Sequence, residues 1–306
     1  MRCINLRRAK NFISSQFEWP TWLFIGLVYS VFFWLLFNFN QFPLFVSFAL
    51  LTITLTAHSS LCHELIHGHP TQNQSINNLI GYPPITLIYP YTIFKETHIK
   101  HHENKFITYP DVDPESFFIT KSEWKRKSFI GKRIAWFNMT LLGRLLLGPS
   151  HSIGSLAKMA IEDIFYAEFK RKMIWICHYM LCALIVFYVN HTFNIHPIIY
   201  LASAYFSLSL IQMRSFYEHQ PDKTIAHRSV IQEACWLMSL LYLNNNYHYV
   251  HHQNPGMPWY QLRKEYFNNK EKYTRENGSF VYSGYINWLR FLVKPINSPI
   301  HPFRDT

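Results

Sequence analysis

The sequence contains few charged residues for its length. Asp, Glu, Lys and Arg make up 15% of the 306 residues, whereas they make up about 25% of an average soluble domain. Glycine is scarce as well, and the 10 glycines exclude a collagen-like or glycine-rich low-complexity protein. The five cysteines form no CxxC pair and no disulfide ladder. Their spacing excludes a disulfide scaffold and favours a reducing compartment.

Apolar residues are abundant and segregated along the chain. Hydrophobic residues make up 49% of the sequence and aromatic residues 18%, which excludes a disordered protein. Four uncharged stretches of about 17–20 residues are long enough to cross a membrane as helices. They cover residues 22–39, 42–61, 173–190 and 197–213. A soluble protein with four core helices is the alternative, but the short polar link between the first two stretches is typical of a membrane hairpin. We therefore expect an all-α integral membrane protein with four transmembrane helices and a cytoplasmic helical cap, forming a single domain over residues 1–306.

The distribution of basic residues predicts the topology. All 29 Lys and Arg residues lie outside the four stretches, and the links at residues 38–41 and 191–196 carry no charge. Because cytoplasmic segments carry the excess of Lys and Arg, both termini and the long middle segment are expected in the cytoplasm. The net charge of +11 then indicates orientation and attraction to anionic headgroups, and we expect no nucleic-acid partner.

Three further apolar segments do not fit clean spans. Residues 79–94 are interrupted by three prolines, so this segment is expected to be re-entrant or interfacial. Residues 134–147 and 229–243 are apolar with few charges, and we expect interfacial helices on the cytoplasmic membrane face.

Histidine is unusually frequent, with 17 residues, and much of it falls in three groups. These are HELIH at residues 63–67, HIKHH at residues 98–102 and HYVHH at residues 248–252. Residues three and four apart share one face of a helix, so each group would present two or three imidazoles in one direction. Neutral imidazole is a good ligand for iron, zinc and copper. The expected topology also places all three groups on the cytoplasmic side, so we predict a histidine-rich metal site there.

Two motifs have competing interpretations. His63, Glu64 and His67 form HExxH, the signature of zinc proteases in which the glutamate is the general base. A membrane zinc protease is therefore the alternative from another class, although it leaves the other two histidine groups unexplained. The acidic run of Asp111, Asp113 and Glu115 suggests a calcium loop, but it lacks the required glycine. A structural turn is the favoured interpretation.

The histidine groups resemble the three histidine boxes of membrane fatty acid desaturases and related hydroxylases. The matching segments are HELIHGHP at residues 63–70, HIKHH at residues 98–102 and NYHYVHHQNP at residues 246–255, and MPWYQL at residues 257–262 is similar to the pattern that follows in the family. The resemblance covers residues 58–262. It implies a four-span helical protein whose cytoplasmic cap holds two irons and uses dioxygen and two electrons to oxidise an unactivated C–H bond.

The resemblance also implies a further ligand between the last span and the third box, and His219 is the matching position. Nine residues are therefore the candidate metal ligands: His63, His67, His98, His101, His102, His219, His248, His251 and His252. No catalytic residue beyond these ligands is expected. Glu218 is expected to orient a ligand imidazole, and His58 to be a hydrogen-bond partner of the site.

Desaturation or hydroxylation of an acyl chain of a lipid or fatty acid is the function that the resemblance favours. Desaturation, hydroxylation or ketolation of a smaller metabolite or a carotenoid is the alternative within the family. The sequence contains no GxGxxG, CxxC or HPGG motif, so we expect an external electron donor of the ferredoxin, rubredoxin or cytochrome type. The protein is expected in a bacterial inner membrane, or in the endoplasmic reticulum if it is eukaryotic.

Overall fold

The protein is mostly helical. A computed structural model describes residues 17–304, so the four basic residues of the amino-terminal segment lie outside the described residues. In chain order the helices are α1 (Trp19–Asn38), α2 (Leu44–Ile66), α3 (Gln74–Gly81), α4 (Tyr91–Glu103), α5 (Lys121–Arg126), α6 (Phe129–Phe137), α7 (Leu141–Tyr166), α8 (Phe169–Phe193), α9 (Pro197–Glu218), α10 (Trp236–Leu241), α11 (His248–Gln253), α12 (Trp259–Asn268) and α13 (Lys270–Glu276). Short 3-10 helices lie at Phe39–Gln41, Ile225–Arg228 and Tyr285–Phe291.

The described residues form two compact units. One, called here the span unit, consists of residues 17–95 and 148–211. The other, called the histidine unit, consists of residues 96–147 and 212–304. The single domain expected from the sequence stays a prediction.

Within residues 17–304, three helical segments are long and apolar enough to cross a membrane: Trp19–Gln41, Leu44–Ile66 and Phe169–Phe193. They contain or overlap the first three stretches predicted from the sequence. Helix α8 buries only 17% of its most apolar window inside the protein. Because so large an exposed apolar surface is unfavourable in water, this finding supports a membrane protein.

The fourth predicted span, residues 197–213, also lies in a helix. Helix α9 is 22 residues long and continues beyond the predicted end to Glu218. Its length suffices to cross a membrane, but it is not among the three segments that are also apolar enough. Its polar residues, such as the buried Ser203, Ser207 and Gln212, lower its mean hydropathy. The four-span count therefore stays a prediction.

The span unit is held together by an apolar core. Leu51 and Leu55 of α2 are completely buried, and they belong to one cluster with Phe32 and Leu36 of α1. Tyr200 of α9 joins this cluster, and its hydroxyl donates a 2.7 Å hydrogen bond to the carbonyl of Ile85. The bond satisfies a carbonyl in the proline-containing segment between α3 and α4, which would otherwise be costly to bury.

The segment at residues 79–94 is broken as expected. Helix α3 ends at Gly81 and α4 begins at Tyr91, and three prolines lie between them. Proline cannot donate a backbone hydrogen bond, so no helix runs through the segment.

Residues 134–147 form two helices rather than the single interfacial helix that the sequence predicted. Helix α6 ends at Phe137 and α7 begins at Leu141. The Thr140 hydroxyl accepts a 2.9 Å hydrogen bond from the backbone N–H of Gly143, which caps the new helix. A Cβ at Gly143 would collide with the carbonyl of Phe137, so only glycine allows the two helices to approach this closely.

Residues 229–243 do not form the predicted interfacial helix either. They contain the strand β1 (Ile231–Glu233), followed by the short helix α10. Strand β1 pairs in parallel with β2 (Val281–Ser283), and Ile231 lies opposite Val281. The all-α prediction is therefore corrected by a two-stranded ladder, because the partner strand lies about 50 residues away in the sequence and no local pattern reveals it.

Two clusters support the histidine unit. Tyr247, Tyr249 and Val250 pack with Leu262 and Tyr266, which fixes helix α11 against α12. In the second cluster, Phe216 and Tyr217 from the end of α9 pack with Met139, Leu141 and Trp288. The end of α9, which directly precedes His219, and helix α11, which carries the third histidine group, are thus attached to buried aromatic cores.

Candidate metal centre

Two helices of the histidine unit carry the second and third histidine groups. His98, His101 and His102 lie on α4, and the third group begins α11 at His248. Helical spacing of three and four residues places these imidazoles on one face of each helix. The helical arrangement predicted from the spacing is confirmed.

One four-histidine group lies entirely within this unit. A ring nitrogen from each of His101, His219, His248 and His252 lies within 4.8 Å of the others. The Nε2 atom of His219 is 3.0 Å from that of His101 and 3.0 Å from that of His248. The Nε2 atoms of His248 and His252 are 2.9 Å apart. His219, expected only from the family resemblance, therefore takes part in this group.

A second group in the same unit consists of His98, His102 and His251. The Nε2 atom of His102 is 3.1 Å from that of His98 and 3.2 Å from that of His251. Imidazole nitrogens this close together can bind one metal ion between them.

The first box lies in the span unit. His63 is in the last turn of α2 and His67 follows as the residue that ends the helix. Their ring centroids are 4.8 Å apart, so the spacing of four residues brings the two imidazoles side by side as expected.

Carboxylates contact the ring nitrogens that face away from the groups. The Nδ1 atom of His101 is 2.7 Å from Asp113 Oδ1, and that of His98 is 2.8 Å from Glu115 Oε1. A carboxylate that accepts the Nδ1–H bond fixes the tautomer and leaves Nε2 free to bind a metal. Sequence reasoning missed both partners, because the acidic run was interpreted only as a turn.

Glu218 has the corresponding position beside the third box. Its Oε1 atom is 3.4 Å from Nδ1 of His248 and 2.6 Å from Nε of Arg214. The expectation that Glu218 orients a ligand imidazole agrees with this contact. Its neighbour Arg214 offsets part of the carboxylate's negative charge.

The loop that carries Asp113 is itself held in place. Asp113 accepts hydrogen bonds from the backbone N–H groups of Thr108, at 2.8 Å, and Glu115, at 3.0 Å. The completely buried His301, which the sequence placed outside any motif, lies 3.0 Å from the hydroxyl of Thr108. Asp113 therefore combines the structural role expected of a turn residue with a contact to a candidate ligand.

Burial keeps most of the four-histidine group neutral. It lowers the pKa of His219 to about 3, and it lowers the pKa of His248 and His252 well below the usual value. Neutral imidazole is the form that binds metals. The group therefore presents lone pairs at neutral pH.

His101 differs because acidic side chains surround it. Burial lowers its pKa, but Glu115, Asp113 and Glu218 outweigh this effect and raise it to about 9. Burial also raises the pKa of Glu218, to about 7. Binding of a metal at His101 would therefore release a proton.

Two histidines outside the predicted ligand set have other partners. His58, expected to hydrogen-bond the site, instead lies 3.2 Å from the hydroxyl of Tyr29 and contacts Cys62. His69 is buried, with Nδ1 2.8 Å from Glu18 and Nε2 3.9 Å from Glu64. The contact with Glu18 connects His69 to the residue that precedes α1.

The apolar helices and the carboxylate-supported histidine groups define a membrane-associated, metal-binding protein. The family described as fatty acid desaturase has a sequence model that matches residues 40–284, which include all nine candidate ligands. The chain therefore belongs to the fatty acid desaturase family, whose members are oxidoreductases. A search of curated proteins finds no match to the sequence.

Proposed function

We propose that the protein is a membrane di-iron enzyme that uses dioxygen and external electrons to desaturate or hydroxylate an acyl chain of a lipid or fatty acid. The observation that carries this proposal is the arrangement of the histidine groups. Their Nε2 atoms converge, whereas carboxylates contact the Nδ1 atoms of His98, His101 and His248.

All nine candidate histidines have a place in this proposal. His101, His219, His248 and His252 would bind one iron. His98, His102 and His251, together with His63 and His67 as the family resemblance implies, would bind the other. Four or five protein ligands for each ion leave at least one position open, as a catalytic metal site requires.

The number of histidines supports the proposal over a zinc protease. The Nε2 atom of His219 lies 3.0 Å from those of His101 and His248, so one ion could bind all three. A catalytic zinc site uses three protein ligands, which would leave most of the nine histidines without a role. We propose iron because the family resemblance implies it.

The residues of the chain would bind and orient the metals. Neutral imidazoles supply the lone pairs, and Asp113 and Glu115 hold the rings of His101 and His98 by their Nδ1 atoms. The Nδ1 atom of His248 is 3.2 Å from Oδ1 of Asn245, and the Glu218 carboxylate lies 3.4 Å away. These carboxylates also provide negative charge behind the ligands, which offsets the charge of the ions. Two irons bound by these residues would supply the redox chemistry with which dioxygen oxidises an unactivated C–H bond.

The topology expected from the sequence indicates on which side of the membrane the site lies and how the electron donor and the substrate would reach it. We propose four spans, with both termini and the histidine unit in the cytoplasm, because all 29 Lys and Arg residues lie in the segments assigned to that side. An electron donor of the ferredoxin, rubredoxin or cytochrome type would then reach the site from the cytoplasm. The substrate would enter from the bilayer.

Profiling of membrane lipids and soluble metabolites tests the proposed reaction. Cells that express the protein are compared with cells that express His252→Ala at the same level. We expect a new double bond or hydroxyl group in acyl chains only with the native protein. If the acyl chains are unchanged and a small metabolite or carotenoid is oxidised instead, the substrate part of the proposal is wrong.

A further inference from the structure

Arg144 lies on helix α7 in the histidine unit and is 1% exposed. It is a single basic residue in the otherwise apolar start of this helix. Among the residues that the structure describes, no acceptor contacts Nε, Nη1 or Nη2 of its guanidinium. A buried charged group without hydrogen-bond partners is strongly unfavourable, so this arrangement needs a physical reason.

The two other buried arginines of the histidine unit show how such a charge is usually satisfied. Arg214 is 2.6 Å from the carboxylate of Glu218. Arg228 donates to the backbone carbonyls of Asp222, Lys105 and Ile107. Arg144 has neither kind of partner in the described part of the chain, so its donors stay available to a ligand.

Aromatic rings surround the guanidinium of Arg144. Its central carbon is 3.9 Å from the ring centroid of Phe117 and 4.9 Å from that of Phe216. Such contacts stabilise the cation but accept none of its N–H bonds. Burial alone lowers the pKa of Arg144, to about 9, so the side chain still carries its charge at neutral pH.

The position of these rings connects Arg144 to the metal centre. Phe117 follows Glu115 by two residues, and Phe216 precedes Glu218 by two residues. Both glutamates contact candidate ligand histidines. An anion bound at Arg144 would therefore lie beside the segments that orient the imidazoles.

The charge and surroundings of Arg144 restrict the ligand. A single guanidinium neutralises one negative charge, so a dianionic phosphomonoester would bring a second, unpaired charge into the interior. A carboxylate or a phosphodiester carries one charge and can accept two parallel N–H bonds. The surroundings of the guanidinium are apolar, because Phe216 contacts it and belongs to one buried cluster with Leu141.

We propose that Arg144 binds the monoanionic head group of an acyl-chain ligand, either the carboxylate of a free fatty acid or the phosphodiester of a lipid. This inference rests on the proposed function, because it identifies the class of acyl substrate that the metal centre would oxidise. It assigns Arg144 a binding role that is separate from the metal ligands.

Thermal unfolding of the purified full-length protein in a non-ionic detergent tests the proposal without turnover. The probes are palmitate, its uncharged methyl ester and dihexadecyl phosphate. We expect palmitate, dihexadecyl phosphate or both to raise the unfolding temperature, and methyl palmitate to have no such effect. The anion that acts distinguishes a free acid from a phosphodiester lipid.

Two variants identify the residue responsible. In Arg144→Met, the affinity for the active anion should fall by about tenfold or more, since charge-assisted hydrogen bonds are lost. The unliganded variant should unfold at the same temperature as the native protein or a higher one, because a buried unpaired charge has been removed. Arg275→Met, which changes an exposed arginine on α13, should bind like the native protein.

Several results would overturn the inference. Equal stabilisation of the native protein by palmitate and methyl palmitate would show that charge is not recognised. Equal stabilisation of native protein and Arg144→Met would show that another residue binds the anion, and no response to either anion would leave Arg144 without a ligand of this class. If Arg144→Met does not fold, the acid–ester comparison on native protein and the weaker binding expected for Arg144→Lys still decide the question.

The binding measurement does not require the proposed oxidation. Anion binding at Arg144 without any oxidised acyl product would leave the anion site standing, but it would contradict the proposed function and the assignment of the ligand as its substrate. Oxidised acyl chains without recognition of a charged head group would contradict only the inference.

Discussion

The Nδ1 atom of His101 lies 2.7 Å from Oδ1 of Asp113, and both side chains are almost completely buried. His101 is a candidate metal ligand, and its Nε2 atom lies 3.0 Å from that of His219. One ring nitrogen is therefore held by a carboxylate while the other points toward neighbouring imidazoles. This arrangement is characteristic of histidines that bind metals.

Substitution of Asp113 should weaken metal binding without removing a ligand. In Asp113→Asn the charge behind His101 is lost, and we expect the metal affinity to fall about 10- to 100-fold. Competition with a chelator measures the change. Asp111→Asn is the matched control, because Asp111 is exposed and asparagine tolerates its positive φ of 67°. An equal loss of affinity in both variants would contradict a specific role for Asp113.

The metal content should depend on both histidine groups of the histidine unit. We expect protein purified from iron-replete cells to contain about two iron ions per chain, with open positions at each ion. His101→Ala or His252→Ala should lose iron, because each substitution removes a candidate ligand of the four-histidine group. Elemental analysis measures the content, and His191→Ala, an exposed histidine at the end of α8, should retain it. Stoichiometric zinc, with full activity after iron chelation, would instead support the protease alternative.

Substitution of Glu64 distinguishes the oxygenase from a zinc protease. Glu64 is 3% exposed and lies 3.9 Å from Nε2 of His69. In an all-histidine di-iron enzyme, Glu64→Gln should retain its metal and a measurable part of the activity. A zinc protease would lose essentially all turnover, because the glutamate deprotonates its catalytic water. Detection of peptide cleavage that Glu64→Gln abolishes would refute the assignment.

The expected topology can be tested with single cysteines. Residues Gln41, Thr192 and Asn268 are all exposed, so each can be replaced by cysteine at an accessible position. Membrane-impermeant thiol reagents added to intact cells should label Gln41→Cys and Thr192→Cys but not Asn268→Cys. The native Cys177 and Cys235 are also exposed, so all native cysteines must first be replaced. Labelling of Asn268→Cys in intact cells would show that the orientation is wrong.

Local sequence patterns predicted the histidine helices and the first three apolar helices. The spacing of three and four residues within each box corresponds to one face of a helix, and α4 and α11 carry the second and third boxes in this way. The long uncharged stretches likewise predicted α1, α2 and α8. These features depend on neighbouring residues alone, so the sequence contains the necessary information.

The resemblance to a family extended the prediction to His219, which no local motif identifies. Glu218 could be anticipated because it precedes this histidine directly. By contrast, Asp113 and Glu115 were interpreted only as a turn. Each lies more than 10 residues from its histidine partner, and their contacts depend on how the loop after α4 folds back toward that helix.

Tertiary structure decided the features that require distant segments to meet. The pairing of β1 with β2 joins residues about 50 positions apart, and the four-histidine group joins α4, the residue after α9, and α11. Arg144 is a further example, because the sequence around it shows only a basic residue in an apolar segment. Its burial and lack of an acceptor in the described chain arise from the packing of Phe117 and Phe216 around it. Local periodicity determines which side chains a helix presents, but long-range packing determines which groups they contact and which charges stay unpaired.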